Sequence, residues 1–224
     1  VEAFKYLQGE NKHERLQKNL RDSTRGHPVR WNERAVVMET AAYRLAFLGE
    51  KAVETVCSLI KSNDPWVQLN AAFIAGEIGV HDDEISCGLL DLLQSPHHQV
   101  VRQAIDAIAF AKLNNYQGIL RQLKELILNK RQEWKLPLVQ RGWSASDQIE
   151  MNIAMFLLSN WGKFETNDLM EISEIMLRKS NDYSSSIVAE ALVRSGNSVA
   201  QRLAIDYFQS RSWNTSLLGA VRAY

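Results

Sequence analysis

An internal repeat in the middle third of the sequence restricts this chain more than any other feature. Val37–Gly49 lies on Val67–Gly79 with a shift of 30 residues: Val37 falls on Val67, Ala41-Ala42 on Ala71-Ala72, Leu45 on Ala75, Leu48 on Ile78 and Gly49 on Gly79. A shift of 33 carries the pattern onward, with Val67 on Val100, Ala71-Ala72 on Ala104-Ile105, Ala75 on Ile108 and Ile78 on Ala111. The stretches between agree as well. Val56 and Leu59-Ile60 fall on Leu89 and Leu92-Leu93, then on Leu123 and Leu126-Ile127. Such a period marks a stack of small units, none of which can bury its apolar sides alone, so that neighbours supply the core.

Within a unit the apolar residues recur at helical spacing rather than in the alternation of half-buried strands. Only 4 prolines and 11 glycines interrupt the chain, so long helices are allowed almost everywhere. Each unit reads as a first helix with an alanine pair, a glycine stop, a second helix ending in Leu-Leu or Leu-Ile, and a turn. The turns Ser62-Asn63-Asp64-Pro65 and Ser95-Pro96-His97-His98 supply a capping side chain or a proline where the next helix starts. The small alanines predict close helix approach, and the aliphatic residues three or four places on fill the seam. The chain is therefore expected to be all-α.

The stretch from Gly49-Glu50-Lys51-Ala52-Val53 through Leu59-Ile60, with Asp64, Val67, Ala71-Ala72, Ala75-Gly76 and Ile78-Gly79, resembles the HEAT repeat, including the subtype shared with bilin lyases. Arg102 is a slightly displaced match to the basic residue that usually follows the valine, and Gln68 departs from it. The resemblance covers Val37–Asn129. It implies a right-handed α-solenoid of about five helical hairpins with N-terminal capping helices. One domain over 1–224 is expected, with a cap over 1–30, regular repeats over 31–129, an irregular loop over 130–147 and worn repeats over 148–224. In the worn part Ala154, Leu158 and Trp161-Gly162 fit the first-helix template, as do Ala189, Leu192 and Gly196. Second helices are expected over about Asp168–Arg178 and Ser198–Phe208, and a short helix after Trp213.

The period breaks over Lys130–Asp147, about 18 residues with Pro137, Gly142 and two tryptophans. Loops this long within a compact domain are uncommon and are often functional. Lys130, Arg131, Lys135 and Arg141 interleave with Trp134 and Trp143 around a single acid, Glu133. Cations among flat aromatics suit a single-stranded or flipped-base ligand, with indoles stacking on bases and charges holding phosphates. The competing reading packs the tryptophans back onto the stack and leaves the charged tips in water.

Charge narrows the choice of partner. The 26 basic and 26 acidic side chains cancel, and the isoelectric point is near 7.1, so no global field draws the chain onto nucleic acid or an anionic membrane. The longest uncharged apolar-rich run, Met151–Gly162, falls well short of the roughly 20 residues that span a bilayer. Cys57 and Cys87 form no CxxC pair and sit in apolar helical patterns, which predicts reduced thiols and a cytoplasmic setting. The chain begins at Val1 without a signal-like stretch, consistent with a processed product or a piece of a longer protein.

No cofactor, metal or catalytic set is expected. His81-Asp82-Asp83-Glu84 reads as a loop and helix N-terminal charge rather than an ion site. His97 and His98 are adjacent on a helix and point in different directions. Deoxyhypusine hydroxylase, a HEAT-like enzyme, implies several His-Glu pairs, and this chain has only His13-Glu14. Ser184, Ser185 and Ser186 have no histidine nearby in sequence and no Gly-x-Ser-x-Gly elbow, and phosphate-cradling glycine loops are missing.

The first functional expectation is a protein-interaction or scaffolding module whose second helices form the binding side. Contacts there are expected from Glu54, Ser58, Lys61, Asp91, Gln94, Arg121 and Lys124, a mixed-sign set that suits a protein better than DNA. Trp134, Arg141 and Trp143 are added from the broken loop. The alternative is a nucleic-acid binder, since the alkylpurine DNA glycosylases built from HEAT-like repeats imply a cationic groove with aromatics and a carboxylate. Trp134, Arg141, Trp143 and Asp147 are of those types without matching spacing. A bilin-lyase-like helper or an accessory domain of a larger enzyme are further alternatives.

Overall fold

Serine, aspartate and asparagine start the helices at the turns, and the computed structural model shows how. It describes residues 44–79, 82–110, 116–129, 134, 144–163 and 167–211. Nine α-helices lie wholly among them, after a helical stretch at 44–47: α1 (Val53–Ile60), α2 (Pro65–Ile78), α3 (Asp83–Leu92), α4 (His98–Phe110), α5 (Tyr116–Leu128), α6 (Ala145–Ser159), α7 (Asn167–Lys179), α8 (Asp182–Arg194) and α9 (Ser198–Ser210). Short 3-10 turns, Gly49–Ala52 and Trp161–Lys163, precede α1 and follow α6. No strand is found among the described residues, so the all-α expectation holds. The helices expected over Asp168–Arg178 and Ser198–Phe208 are α7 and α9. The expected N-terminal cap and the helix after Trp213 lie outside the described residues.

The turns follow one chemical recipe. Asp64 accepts from the Trp66 N–H at 2.8 Å with Pro65 at the first helical position, Asp82 accepts from Ile85 N–H at 2.9 Å, and Asn181 from Ser184 N–H at 2.9 Å. Asn197 takes both the Val199 and Ala200 N–H groups at 2.9 and 3.0 Å. Each satisfies backbone donors that a helix start would otherwise leave open. Two residues upstream a serine hydroxyl accepts from the chain: Ser62 from Asp64 N–H, Ser95 from His97 N–H and Ser195 from Asn197 N–H, at 3.1, 3.2 and 3.1 Å.

Glycine stops behave as the repeat requires at three places. Gly49, Gly79 and Gly196 have φ of 57°, 62° and 70°, the left-handed region where a side chain is strained. Gly162 differs. The carbonyl of Phe156 at the end of α6 receives the Asn160 side-chain amide at 2.9 Å, so the chain leaves through a 3-10 turn instead of a left-handed residue.

The described residues gather into two compact units, one within Val1–Asn115 and Leu136–Ser144, the other within Tyr116–Lys135 and Ala145–Tyr224. In the first, α2 packs most extensively on α4, α1 on α2 and α3, and α3 on α4. The repeated positions Val67, Ala71, Ala72, Ala75, Val100, Ala104 and Ile105 of the first helices are buried in it, together with Ile74 and Val101. Gly76 explains how close α2 and α4 come: a Cβ there would lie 2.9 Å from the Ala107 Cα. In the second unit α8 packs on α6, α7 and α9, and α5 on α7, around Ile153, Ala154, Phe156, Ile172, Met176, Val188, Ala189 and Leu192.

Candidate functional site

The last turn of α1 places Ile60 inward and Lys61 outward, because α1 ends there and Lys61 is its C-terminal cap. α3 runs alongside α1, and its approach depends on a missing side chain: a Cβ on Gly88 would meet Ile60 Cγ2 at 2.7 Å. Between these helices and the turn after α3 opens a cleft of about 590 Å³. Ile60, Gly88 and Leu92 give it an apolar floor, and Lys61, Gln68, Glu84, Cys87, Asp91, Gln94, Ser95 and Pro96 line its sides. The volume lies within the roughly 300–1,000 Å³ of ordinary ligand sites.

Electrostatics in the cleft are set by acids near helix ends. Lys61 Nζ bridges to Glu84 Oε1 at 3.3 Å, with side chains 67% and 68% exposed. An ion pair so open to water is weak and readily exchanged. Beneath it Cys57 is buried, and burial first, then the negative charges of Asp82 and Glu84, pushes its thiol up to about 11. Gln68 donates through Nε2 to the Ser62 carbonyl at 2.8 Å, which holds its amide at the cleft edge.

Of the residues singled out by sequence, Lys61, Asp91 and Gln94 are brought together here. Glu54 and Ser58 are exposed on α1 without lining the cleft. Arg121 is exposed on α5 in the other unit, and Lys124 is engaged in a bridge to Glu171 on α7. Trp134 is described by itself, between residues outside the described ones. It is 5% exposed. Arg141 and Trp143 lie outside the described residues.

Asp147, grouped with those residues by type, sits in the first turn of α6. Its Oδ1 is 3.5 Å from Asn181 Nδ2. Beside it Glu150, 2% exposed, accepts from the Asn181 backbone N–H at 3.0 Å and from Nδ2 at 3.1 Å, tying α6 to the start of α8. Ser184 and Ser185 are fully buried, and the Ser185 hydroxyl is 3.0 Å from the Asn181 carbonyl. His98 is pushed down to about 4, by burial first and then by Arg102 and His97. Among the described residues no group of three or more His, Cys, Asp or Glu side chains is arranged to hold a metal ion.

Sequence reasoning missed Gln68, Glu84, Cys87 and Gly88 at the cleft. Gln68 was visible as a break in the repeat pattern, whereas Gly88 carried no local signal, because its role depends on a neighbour 28 positions earlier, Ile60. No family model matches the chain, and no curated protein matches it significantly.

Proposed function

We propose that this chain is a protein-interaction or scaffolding module, a right-handed α-solenoid of HEAT-like hairpins that receives its partner on the side formed by the second helices. The observation that carries the reading is the cleft between α1 and α3, where Lys61, Asp91 and Gln94 meet over an apolar floor. The repeated stacking of first helix on first helix, α2 on α4 and α6 on α8, supports the repeat architecture. Free Cys57 and Cys87 suit a reducing, cytoplasmic setting. No helix among the described residues is long and apolar enough to cross a membrane.

Partner capture from a lysate, compared between the native chain and a Lys61→Glu, Asp91→Lys, Gln94→Ala variant, tests this. A Glu77→Lys variant, altered at an exposed position on α2, serves as control. Partners retained by the native chain and the control, and lost from the triple variant, are the expected outcome. Partners lost with Glu77→Lys and kept by the triple variant would move the binding side to the first helices and overturn the reading.

A further inference from the structure

Taking the chain as an interaction module, the cleft also specifies what its partner must bring. The exposed charged side chains on α1, α3 and the α1 cap are Glu54, Lys61, Asp83, Glu84 and Asp91, four acids against one base, of which Lys61, Glu84 and Asp91 line the cleft. That base is already bridged to Glu84. The comparable helices of the other unit, α5 and α7, balance Glu125, Asp168, Glu171 and Glu174 against Arg121, Lys124, Arg178 and Lys179. Negative charge is thus concentrated at α1 and α3, although the whole chain is neutral.

Backbone polarity adds to it. Both α1 and α3 end at the cleft, at Ile60 and Leu92; Lys61 caps α1, whereas α3 has no basic residue in its last turn or at its cap. A helix C-terminus carries roughly half a negative charge in partial form, which favours a nearby cation. The lining also carries hydrogen-bond acceptors. One N–H of the Gln68 amide is held by the Ser62 carbonyl. The Asp91 carboxylate and the Gln68 amide add acceptors to the lining.

We propose that the cleft takes an extended cationic segment of a partner protein. A lysine or arginine head is held by Asp91, and its methylene stem and an adjoining aliphatic residue lie over Ile60, Gly88 and Leu92. Long cationic side chains do this readily, covering apolar surface with the stem while the charged head stays polar.

Fluorescence anisotropy with the full chain tests it, using a fluorescein-labelled acetylated heptapeptide of Lys, Leu and Ser and a twin with Glu in place of Lys. The Lys peptide is expected to bind, to weaken with added salt, and to bind at least about tenfold more tightly than the Glu twin. Asp91→Lys is expected to weaken it at least about tenfold and Asp91→Asn by less, with unchanged circular dichroism because Asp91 is exposed. Equal binding of the Glu twin, or no effect of Asp91→Lys, overturns the assignment. Tighter binding of spermidine or of a single-stranded oligonucleotide than of the Lys peptide overturns the polypeptide occupant. If partners captured by the native chain are retained by Asp91→Lys and the Lys peptide fails to bind, the cationic segment is wrong while the scaffold reading stands. Failure of capture as well removes both.

Discussion

At the scale of single residues, the two thiols differ through their surroundings alone. Cys87 is exposed at the cleft, whereas Cys57 is buried under the Lys61–Glu84 pair with its thiol pushed up to about 11. A thiol-specific reagent near pH 8 is expected to modify Cys87 quickly and Cys57 only when denaturant is added, because the thiolate is the reactive form. His98 gives stability a pH dependence. Its folded value of about 4 lies below the ordinary 6.5, so the unfolded chain binds the proton more readily in between. The stability it contributes is full above about 6.5 and is lost as pH falls toward 4. Urea midpoints measured from pH 7 down to pH 5 are expected to fall, and His98→Asn to flatten the fall.

At the scale of helices, caps and close approaches carry the argument. Asp64→Ala removes one cap and should cost about 1 kcal/mol. Asn181→Ala removes a cap and also strips the side-chain donor Nδ2 from the buried Glu150, leaving only the backbone N–H and adding about 1–3 kcal/mol. Asn181→Asp keeps the cap but sets a third carboxylate beside Asp147 and Glu150, so it should be no milder. Denaturant titration of the three variants orders them. Gly76→Ala sets two effects against each other. Alanine favours a helix by about 1 kcal/mol, and forcing a methyl onto the Ala107 backbone costs about 1–3 kcal/mol. A net loss of stability, read as a lower melting temperature, is expected. The contrast between the two kinds of glycine shows what was legible in sequence. Gly49, Gly79 and Gly196 end helices through their own backbone angles, so a local pattern found them. Gly88 matters only through Ile60, Glu150 only through Asn181, and Trp134 only through what encloses it; none of these relations is written in neighbouring residues. Part of the cleft was found for the same reason: Lys61, Asp91 and Gln94 follow from helix periodicity, whereas Gln68 enters from a different helix.

At the scale of the whole molecule, charge sets solution behaviour. Equal numbers of acids and bases give no net repulsion near the isoelectric point of about 7.1. Solubility in polyethylene glycol is expected to be lowest near pH 7 and to rise on either side, which a precipitation series measures directly. A chain with no net charge and a local excess of acid can present a steering field to a cationic segment without attracting anions to every surface. The seam between α2 and α4 has a different consequence, for how such a chain can change its length. One extra residue inside α2 would turn everything beyond it by about 100°, carrying Gly76 away from Ala107 and bringing a side chain onto that backbone. The seam therefore acts as a gauge that admits only one count of residues within the helix. Insertions and deletions in this part of the chain are expected to be tolerated in the turns, where serine and aspartate brackets can be respaced without touching the gauge.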